Sequence, residues 1–218
     1  MGPNAMCIKK VINFEPKNYK HTDNDNDLIF EIIIENTKLI DRKVYTTIKV
    51  KYNKKITKEI IVNHDTFSTY QIPNQFYIYY FKDKNVLFIN APKEITNSFL
   101  KELSNADNEK YKFEEIDFDF TKIAREARYN TKGAWFGTKD TTITNKAYYG
   151  NQIIDDQDVE KAVSENRVTY FMIRFDINNE AKTIGISKKG SIIVFNSCNT
   201  EEEYLSLVFN SFKEVTSL

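Results

Sequence analysis

The acidic stretch FEEIDFDF, residues 113–120, is the first part of the sequence whose residue types could do chemistry. Glu115, Asp117 and Asp119 alternate with apolar residues, so on a β-strand the three carboxylates would share one face. Many nucleases hold magnesium with carboxylates presented by a strand. The acidic strand 114–119 therefore predicts, as one alternative, a metal-dependent nuclease.

The ligand set for such a nuclease is incomplete in the sequence. Restriction-type nucleases add a lysine close to an acidic residue, where it polarises the attacking water. Asp119 and Lys122 are one residue too far apart for that pattern. The competing interpretation is an edge strand whose solvated acidic face blocks pairing between sheets. We favour the second interpretation and expect neither a metal nor another cofactor.

The basic and aromatic segment 122–139 is the second candidate, and it contains the only tryptophan of the chain. Its candidate binding residues are Lys122, Arg125, Arg128, Tyr129, Lys132, Trp135, Phe136 and Lys139. In a nucleic-acid-binding protein the cations would contact phosphates and the rings would stack on bases. Tryptophan, tyrosine and arginine are equally the commonest hot-spot residues of protein interfaces. A purely structural interpretation places Trp135 and Phe136 on opposite faces of a short strand, with the cations solvated.

A denser basic run, KVKYNKKITK at 49–58, surrounds a predicted hairpin turn, where a solvated lysine face is expected. Segment 122–139 is the stronger candidate because arginine and tryptophan add recognition chemistry that lysines on a turn lack. His64 lies in a predicted polar turn. The sequence has no Walker loop, dinucleotide-binding glycine motif, nucleophile elbow or zincin motif. These observations favour a binding protein over an enzyme.

The composition limits the remaining possibilities. The 31 basic and 31 acidic side chains cancel, which argues against attraction of the whole protein to nucleic acid or to an anionic membrane. The two cysteines have no metal-binding spacing and fit a reducing cytoplasm. No apolar run approaches the ~20 residues that a membrane span requires. Lysine, asparagine and isoleucine are abundant, which indicates a low-GC bacterium, a phage or a mobile element.

The first half of the chain reads as strands followed by a helix. Strands are predicted at 28–34, 43–52, 59–62, 75–81 and 86–90, with turns at 21–27, 52–55 and 72–75. After Pro92 the pattern changes, because Ile95, Phe99 and Leu103 fall on one face of a helix.

The second half ends in the same way. Strands are predicted at 168–177, 181–187 and 191–196, followed by an amphipathic helix with Asn199 or Thr200 as its N-cap. Upstream, a helix over 121–129 is expected to end at Asn130 or Gly133. Asp155 or Asp156 could cap a further helix in the segment between the two regions.

The two endings align without a gap. KDKNVLFIN (82–90) matches KKGSIIVFN (188–196) at an offset of 106. The sequence therefore predicts an α+β fold of two related antiparallel sheet units, each closed by a C-terminal amphipathic helix. The units are expected at 6–108 and 109–218. A helix and loop segment around 130–167 would be inserted in the second.

The order strand, turn, strand, KKG turn, strand and helix resembles one half-repeat of the TATA-binding-protein-like fold. The resemblance covers residues 168–216 and, more weakly, 75–104. It implies two halves that form an antiparallel sheet with helices on one side. The DNA-kinking phenylalanine pairs of that family have no counterparts that can be placed here, so the resemblance implies no functional residues.

The function expected from these patterns is non-enzymatic binding of nucleic acid or a protein partner through segment 122–139. A cytoplasmic regulatory module that acts in phage–host conflict fits the composition and the lack of metabolic motifs. An interaction domain of a longer protein is a further alternative. The opening MGPNAM is typical of a vector-derived leader over residues 1–5, with the native start at Met6.

Overall fold

The computed structural model describes residues 4–127, 130–177 and 180–217, and it has the predicted α+β composition of antiparallel strands and four helices. The chain divides into two compact units. We call Lys9–Glu114 the first unit, and Met1–Ile8 together with Glu115–Leu218 the second unit. The sequence predicts a boundary after residue 108, whereas the structural boundary follows Glu114.

The first unit consists of seven strands and the helix α1. Its elements are β1 (Asn4–Phe14, from Lys9 onward), β2 (Tyr19–Thr22), β3 (Leu28–Ile40), β4 (Lys43–Val62), β5 (Asp65–Phe81), β6 (Val86–Ile89), α1 (Lys93–Ala106) and β7 (Tyr111–Glu115). The strands lie in the order β2-β3-β4-β5-β6-β1, and β7 pairs with β1. Each pairing from β2 through β6 is antiparallel.

Helix α1 forms where the apolar spacing predicts it and packs against β4. Phe99 and Leu103 are buried, and Ile95 on the same face is half-buried. The Phe99 ring meets Phe30 and Tyr52 edge-on, each at 5.7 Å between centroids. Such edge-to-face contacts stabilise a core beyond the area they bury. The core of the first unit is therefore centred on α1 and the strands below it.

The predicted turns at 52–55 and 72–75 are wrong. The segments lie inside two long strands, β4 and β5, which pair with each other up to the turn at Asn63 and His64, with one register shift between Thr57 and Ile60. Lysine and asparagine are locally typical of turns, but cross-strand pairing along the ribbon overrides that preference. Pro73 is tolerated because no further strand needs its missing amide hydrogen at this position.

The second unit contains the remaining elements. They are the start of β1, α2 (Phe120–Glu126), β8 (Thr131–Gly137), β9 (Asn145–Tyr149), α3 (Gln157–Ser164), β10 (Val168–Ile177), β11 (Glu180–Ser187), β12 (Ser191–Val194) and α4 (Glu201–Ser217). The strands lie in the order β1-β12-β11-β10-β8-β9. No helix within the described ranges is both long and apolar enough to cross a bilayer.

One face of this second sheet is covered by helices. Phe171 and Ile173 on β10 are fully buried, and the Phe120 ring of α2 packs 4.8 Å from the Phe171 ring. Helix α3 is capped by Asp156, whose carboxylate accepts from two backbone amides, as predicted for this segment. Thr200 caps α4 by accepting from the Glu203 amide at 3.1 Å. The helices thus bury the face to which Phe171 and Ile173 contribute.

The acidic stretch 113–120 is not one strand, which corrects the sequence prediction. Strand β7 ends at Glu115, and the chain is irregular until α2 begins at Phe120. Asp119 is the N-cap of α2 and accepts from the Lys122 amide at 3.0 Å. Capping stabilises a helix end, so its carboxylate has a structural partner.

The aligned hairpins of the two units differ by one residue at the turn. Tyr80 pairs with Leu87, whereas Ile186 pairs with Ile192 and not with Ile193, so the gapless offset of 106 predicted from the sequence cannot hold on both strands of the hairpin. In each turn the residue before the second strand segment is left-handed, and in the second unit this is Gly190, with φ of 75°. A methyl group on Gly190 would lie 2.8 Å from the Ile8 carbonyl oxygen, so glycine is required there.

Candidate binding face

The structure separates the predicted binding residues instead of gathering them on one surface. Lys122 and Arg125 lie on α2, Lys132, Trp135 and Phe136 lie on β8, and Lys139 follows β8. Arg128 and Tyr129 lie outside the described residues. Segment 122–139 is therefore a helix followed by a strand, and its rings point to both faces of the sheet.

Phe136 lies on the helix-covered face and is only 2% exposed. Its ring stacks on Tyr148 at 5.6 Å, and the Arg167 guanidinium lies 5.6 Å from the Phe136 centroid. Tyr148 and Lys146 each donate to the same Asp158 carboxylate oxygen at 2.6 Å, which ties β9 to α3. Phe136 is thus a packed core residue and is unavailable to a ligand.

Trp135 lies on the opposite face and is half-buried. Its ring makes edge-to-face contacts with Tyr149 at 4.8 Å and with Tyr170 at 4.7 Å between centroids. Strand pairing places further apolar side chains on this side of the sheet. We call the surface formed by Trp135, Tyr149, Tyr170, Met172 and Phe195 the aromatic face. Tyr149 is 63% exposed and Phe195 43% exposed, so solvent reaches it.

Two glycines leave space for rings of the aromatic face to lie close to the backbone of the sheet. A methyl group on Gly133 would lie 3.0 Å from the Trp135 ring and 3.1 Å from Met172 Cβ. A methyl group on Gly185 would lie 1.5 Å from the Tyr170 hydroxyl oxygen. Gly133 was predicted to end a helix, which is wrong: it is a strand residue that pairs with Met172. Its role is to let the tryptophan ring approach the sheet.

Burial changes the chemistry of one ring in this cluster. Desolvation, with a smaller contribution from Tyr149, raises the pKa of Tyr170 to about 12. The Tyr170 hydroxyl group lies over Gly185 on the neighbouring strand β11. The rings of the aromatic face are held in place by their packing, as in a recognition surface. None of the five residues that form this face has the properties of an activated nucleophile.

Three cations of segment 122–139 contact groups within the protein. Lys139 forms an ion pair with Glu165 at 3.1 Å, and Lys132 donates to Asn151 at 2.7 Å. Arg125 pairs with its neighbour Glu126 at 3.2 Å. The cross-strand positions place Arg174 on the same side as Tyr170 and Met172, and it is exposed. Positive charge is therefore sparse beside the rings.

No group of three or more histidine, cysteine, aspartate or glutamate side chains that could hold a metal ion occurs in the part of the chain that the structure describes. Glu115 ends β7, Asp117 lies in the irregular segment and Asp119 caps α2. The strand geometry on which the nuclease alternative depended is absent from 116–119.

Sequence reasoning missed Tyr149, Tyr170 and Phe195. A glycine in the middle of the apolar strand TIGIS was the available signal, because glycine inside a strand often marks the close approach of another group. The approaching group is Tyr170, from the neighbouring strand. Gly185 therefore indicates where a side chain comes close to the backbone, but not which side chain does so.

Comparison with known proteins adds no family to this description. The sequence matches no model of a known protein family and no curated protein.

Proposed function

We propose that this protein is a non-enzymatic binding module that recognises a protein partner through the aromatic face. The observation that supports the proposal is the edge-to-face cluster of Trp135 with Tyr149 and Tyr170 on the side of the sheet opposite the helices. Tryptophan, tyrosine, methionine and arginine are enriched in protein interfaces; the aromatic face carries the first three types, and Arg174 lies on the same side of the sheet.

Preorganisation of the rings favours tight binding. Gly133 and Gly185 leave room for Trp135 and Tyr170 to lie on the sheet, where their neighbours restrict rotation. A ring that is already ordered loses little entropy when a partner covers it, and that loss is otherwise about 0.5–1.5 kcal/mol per immobilised side chain. An apolar partner surface with a hydrogen-bond acceptor for a tyrosine hydroxyl group would complement this face.

The distribution of charge supports a protein partner over nucleic acid. Lys132, Lys139 and Arg125 contact groups within the chain, and among the charged side chains placed by the strand pairing only Arg174 lies beside the rings. Nucleic-acid affinity depends mainly on phosphate contacts by lysine and arginine. A surface with one arginine beside the rings offers few such contacts.

Photo-crosslinking in the native host tests the proposal. A photoreactive phenylalanine analogue replaces exposed Tyr149 in one variant and exposed Glu160 on α3 in a matched control. We expect one discrete protein adduct from position 149 and none from position 160, identified by mass spectrometry. Equal adduct patterns from both positions would contradict the proposal.

A binding assay with nucleic acids tests the other outcome. Labelled single-stranded DNA, duplex DNA and RNA are titrated at low salt while anisotropy and the emission of Trp135 are recorded. We expect no saturable binding. Salt-sensitive binding that quenches Trp135 would overturn the protein-partner proposal in favour of base stacking on the aromatic face.

We also propose that the two units arose by duplication of a strand–strand–helix segment. The helix of each copy, α1 and α4, would then be the C-terminal helix expected to close each unit. The support is the equivalent order β5, β6, α1 and β11, β12, α4, with equivalent pairing of each hairpin. Homologous sequences would test this: the two halves should align with the one-residue difference at the turn.

A further inference from the structure

The first unit contains a two-stranded ribbon that extends beyond the neighbouring strands. β3 pairs with β4 only as far as Tyr52, and β6 pairs with β5 only from Ile78 onward. Between these limits β4 and β5 pair only with each other, and they are joined by a turn at Asn63 and His64 with φ of 52° and 75°. We call residues 53–74 the arm. Every residue of the arm is described.

The arm exposes apolar side chains on both of its faces. Ile61 is 70% exposed and Phe67 is 47% exposed, and Val62 and Ile72 are exposed as well. An irregularity in the register between Thr57 and Ile60 divides the isoleucines and the aromatic rings between the two faces. An isolated two-stranded ribbon is only marginally stable in water. The arm therefore lacks the cover that its side chains would need.

The two edges of the arm differ in charge. The β4 edge carries exposed Lys55, Lys58 and Glu59, while Lys54 pairs with Glu94 of α1. Lysine on an edge strand is a common device against pairing with another chain. The β5 edge over 66–72, TFSTYQI, has no charge and no proline and is rich in residues that favour strands. One edge is thus protected, and the other is open to strand addition.

We propose that the β5 edge over 66–72 pairs antiparallel with the same edge of a second copy of this chain. A two-fold contact requires a surface that is complementary to itself. With the axis at Thr69, Phe67 faces Gln71 and Ser68 faces Tyr70, so no charged side chain meets another. The same contact made by the β4 edge would bring its lysines together. The dimer joins two arms into a four-stranded ribbon.

Cysteine crosslinking tests the contact with a matched control. Thr69→Cys and Thr57→Cys are each made with Cys198→Ser, because Thr57 lies directly across from Thr69 on the protected strand. Opposed residues of antiparallel strands have Cα atoms about 4.5–5.5 Å apart, which a disulfide can bridge. Mild oxidation should give a disulfide dimer from Thr69→Cys and leave Thr57→Cys monomeric. Equal crosslinking of both, or of neither, would overturn the proposal.

A charge variant gives an independent measurement in the full-length chain. Thr69→Lys places two ammonium groups opposite each other at the axis, whereas Thr57→Lys adds the same charge to the other edge. Sedimentation equilibrium should show a dimer dissociation constant at least tenfold higher for Thr69→Lys than for wild type, and little change for Thr57→Lys. A wild-type protein that stays monomeric at about 100 μM would contradict the proposed dimer contact.

This inference is independent of the proposed function, because the arm and the aromatic face lie in different units. Thr69→Lys should leave the crosslinked adduct of position 149 unchanged. Failure of the dimer experiments therefore leaves the aromatic face untouched, and failure of photo-crosslinking leaves the arm untouched.

Discussion

The aromatic face and the arm both expose apolar side chains, but their support differs. On the aromatic face, Trp135 packs against two tyrosine rings, and glycines let the rings lie on a sheet whose other side is buried by helices. On the arm, Ile61 and Phe67 lie in a ribbon of two strands, in which each strand pairs only with the other. Fixed rings recognise shape, whereas an open edge recognises another backbone. One chain thus offers two recognition modes.

The largest expected effect comes from filling the space beneath Tyr170. The Gly185→Ala methyl group would displace the Tyr170 ring, and overpacking of this kind costs about 1–3 kcal/mol. We expect the free energy of unfolding in urea to fall by that amount. The pKa of Tyr170 should fall below about 12 as the ring becomes exposed, which an ultraviolet titration measures.

Gly137→Ala is the matched control for this substitution. A methyl group there would lie 3.9 Å from the Thr144 carbonyl oxygen, which is ordinary contact. Loss of backbone freedom in the unfolded chain should make the variant equal to wild type or stabilise it by about 0.4–1 kcal/mol. Equal destabilisation by both substitutions would mean that Tyr170 does not occupy the space above Gly185.

Alkaline pH should reduce the contribution that Tyr170 makes to the stability of the fold. The pKa of Tyr170 is raised to about 12 in the folded protein, against about 10 for an unperturbed tyrosine. A raised pKa stabilises the fold fully below pH ~10 and loses that contribution as the pH rises through about 12. The stability difference between wild type and Tyr170→Phe should therefore shrink over this interval. A constant difference in urea unfolding would show that Tyr170 is not desolvated.

The arm should respond weakly to substitution in the monomer. Ile61→Thr removes apolar surface from a side chain that is already 70% exposed. Surface substitutions of this kind usually change the free energy of unfolding by less than about 0.5 kcal/mol. Urea unfolding of dilute protein measures this change. A loss above about 2 kcal/mol would indicate that Ile61 is buried, because full burial of isoleucine contributes that much.

The smallest effect is expected from the paired lysine of segment 122–139. Lys139→Gln removes an ion pair whose lysine is 73% exposed. Exposed ion pairs contribute about 0–1 kcal/mol, so stability and partner affinity should change little. Affinity is measured by isothermal titration with the crosslinked partner. A large, salt-dependent loss would restore the basic segment as the recognition element.

Local patterns predicted the elements well where local and tertiary preferences agree. Helix α1 follows from Ile95, Phe99 and Leu103, and α3 follows from its Asp156 cap. The turns at 52–55 and 72–75 failed because pairing between distant strands overrode their turn residues. A single sequence contains no direct record of which strands pair.

The candidate site was predictable only in part, for the same reason. Trp135 was identified because it is the only tryptophan and lies beside cations. Tyr149 and Tyr170 reach it through strand pairing, and Lys139 turns instead toward Glu165. Spacing along the chain predicted a basic and aromatic surface, whereas the strand order separates the rings from the charges.

The most direct test of the central proposal is to compare the partner affinity of wild type with that of two variants. Wild type, Trp135→Ala and Arg125→Gln are titrated against the partner captured at position 149. Loss of a hot-spot tryptophan should weaken binding at least tenfold, equivalent to about 1.4 kcal/mol, while Arg125→Gln should change it less than about twofold. Unchanged binding by Trp135→Ala with a large loss in Arg125→Gln would contradict recognition through the aromatic face.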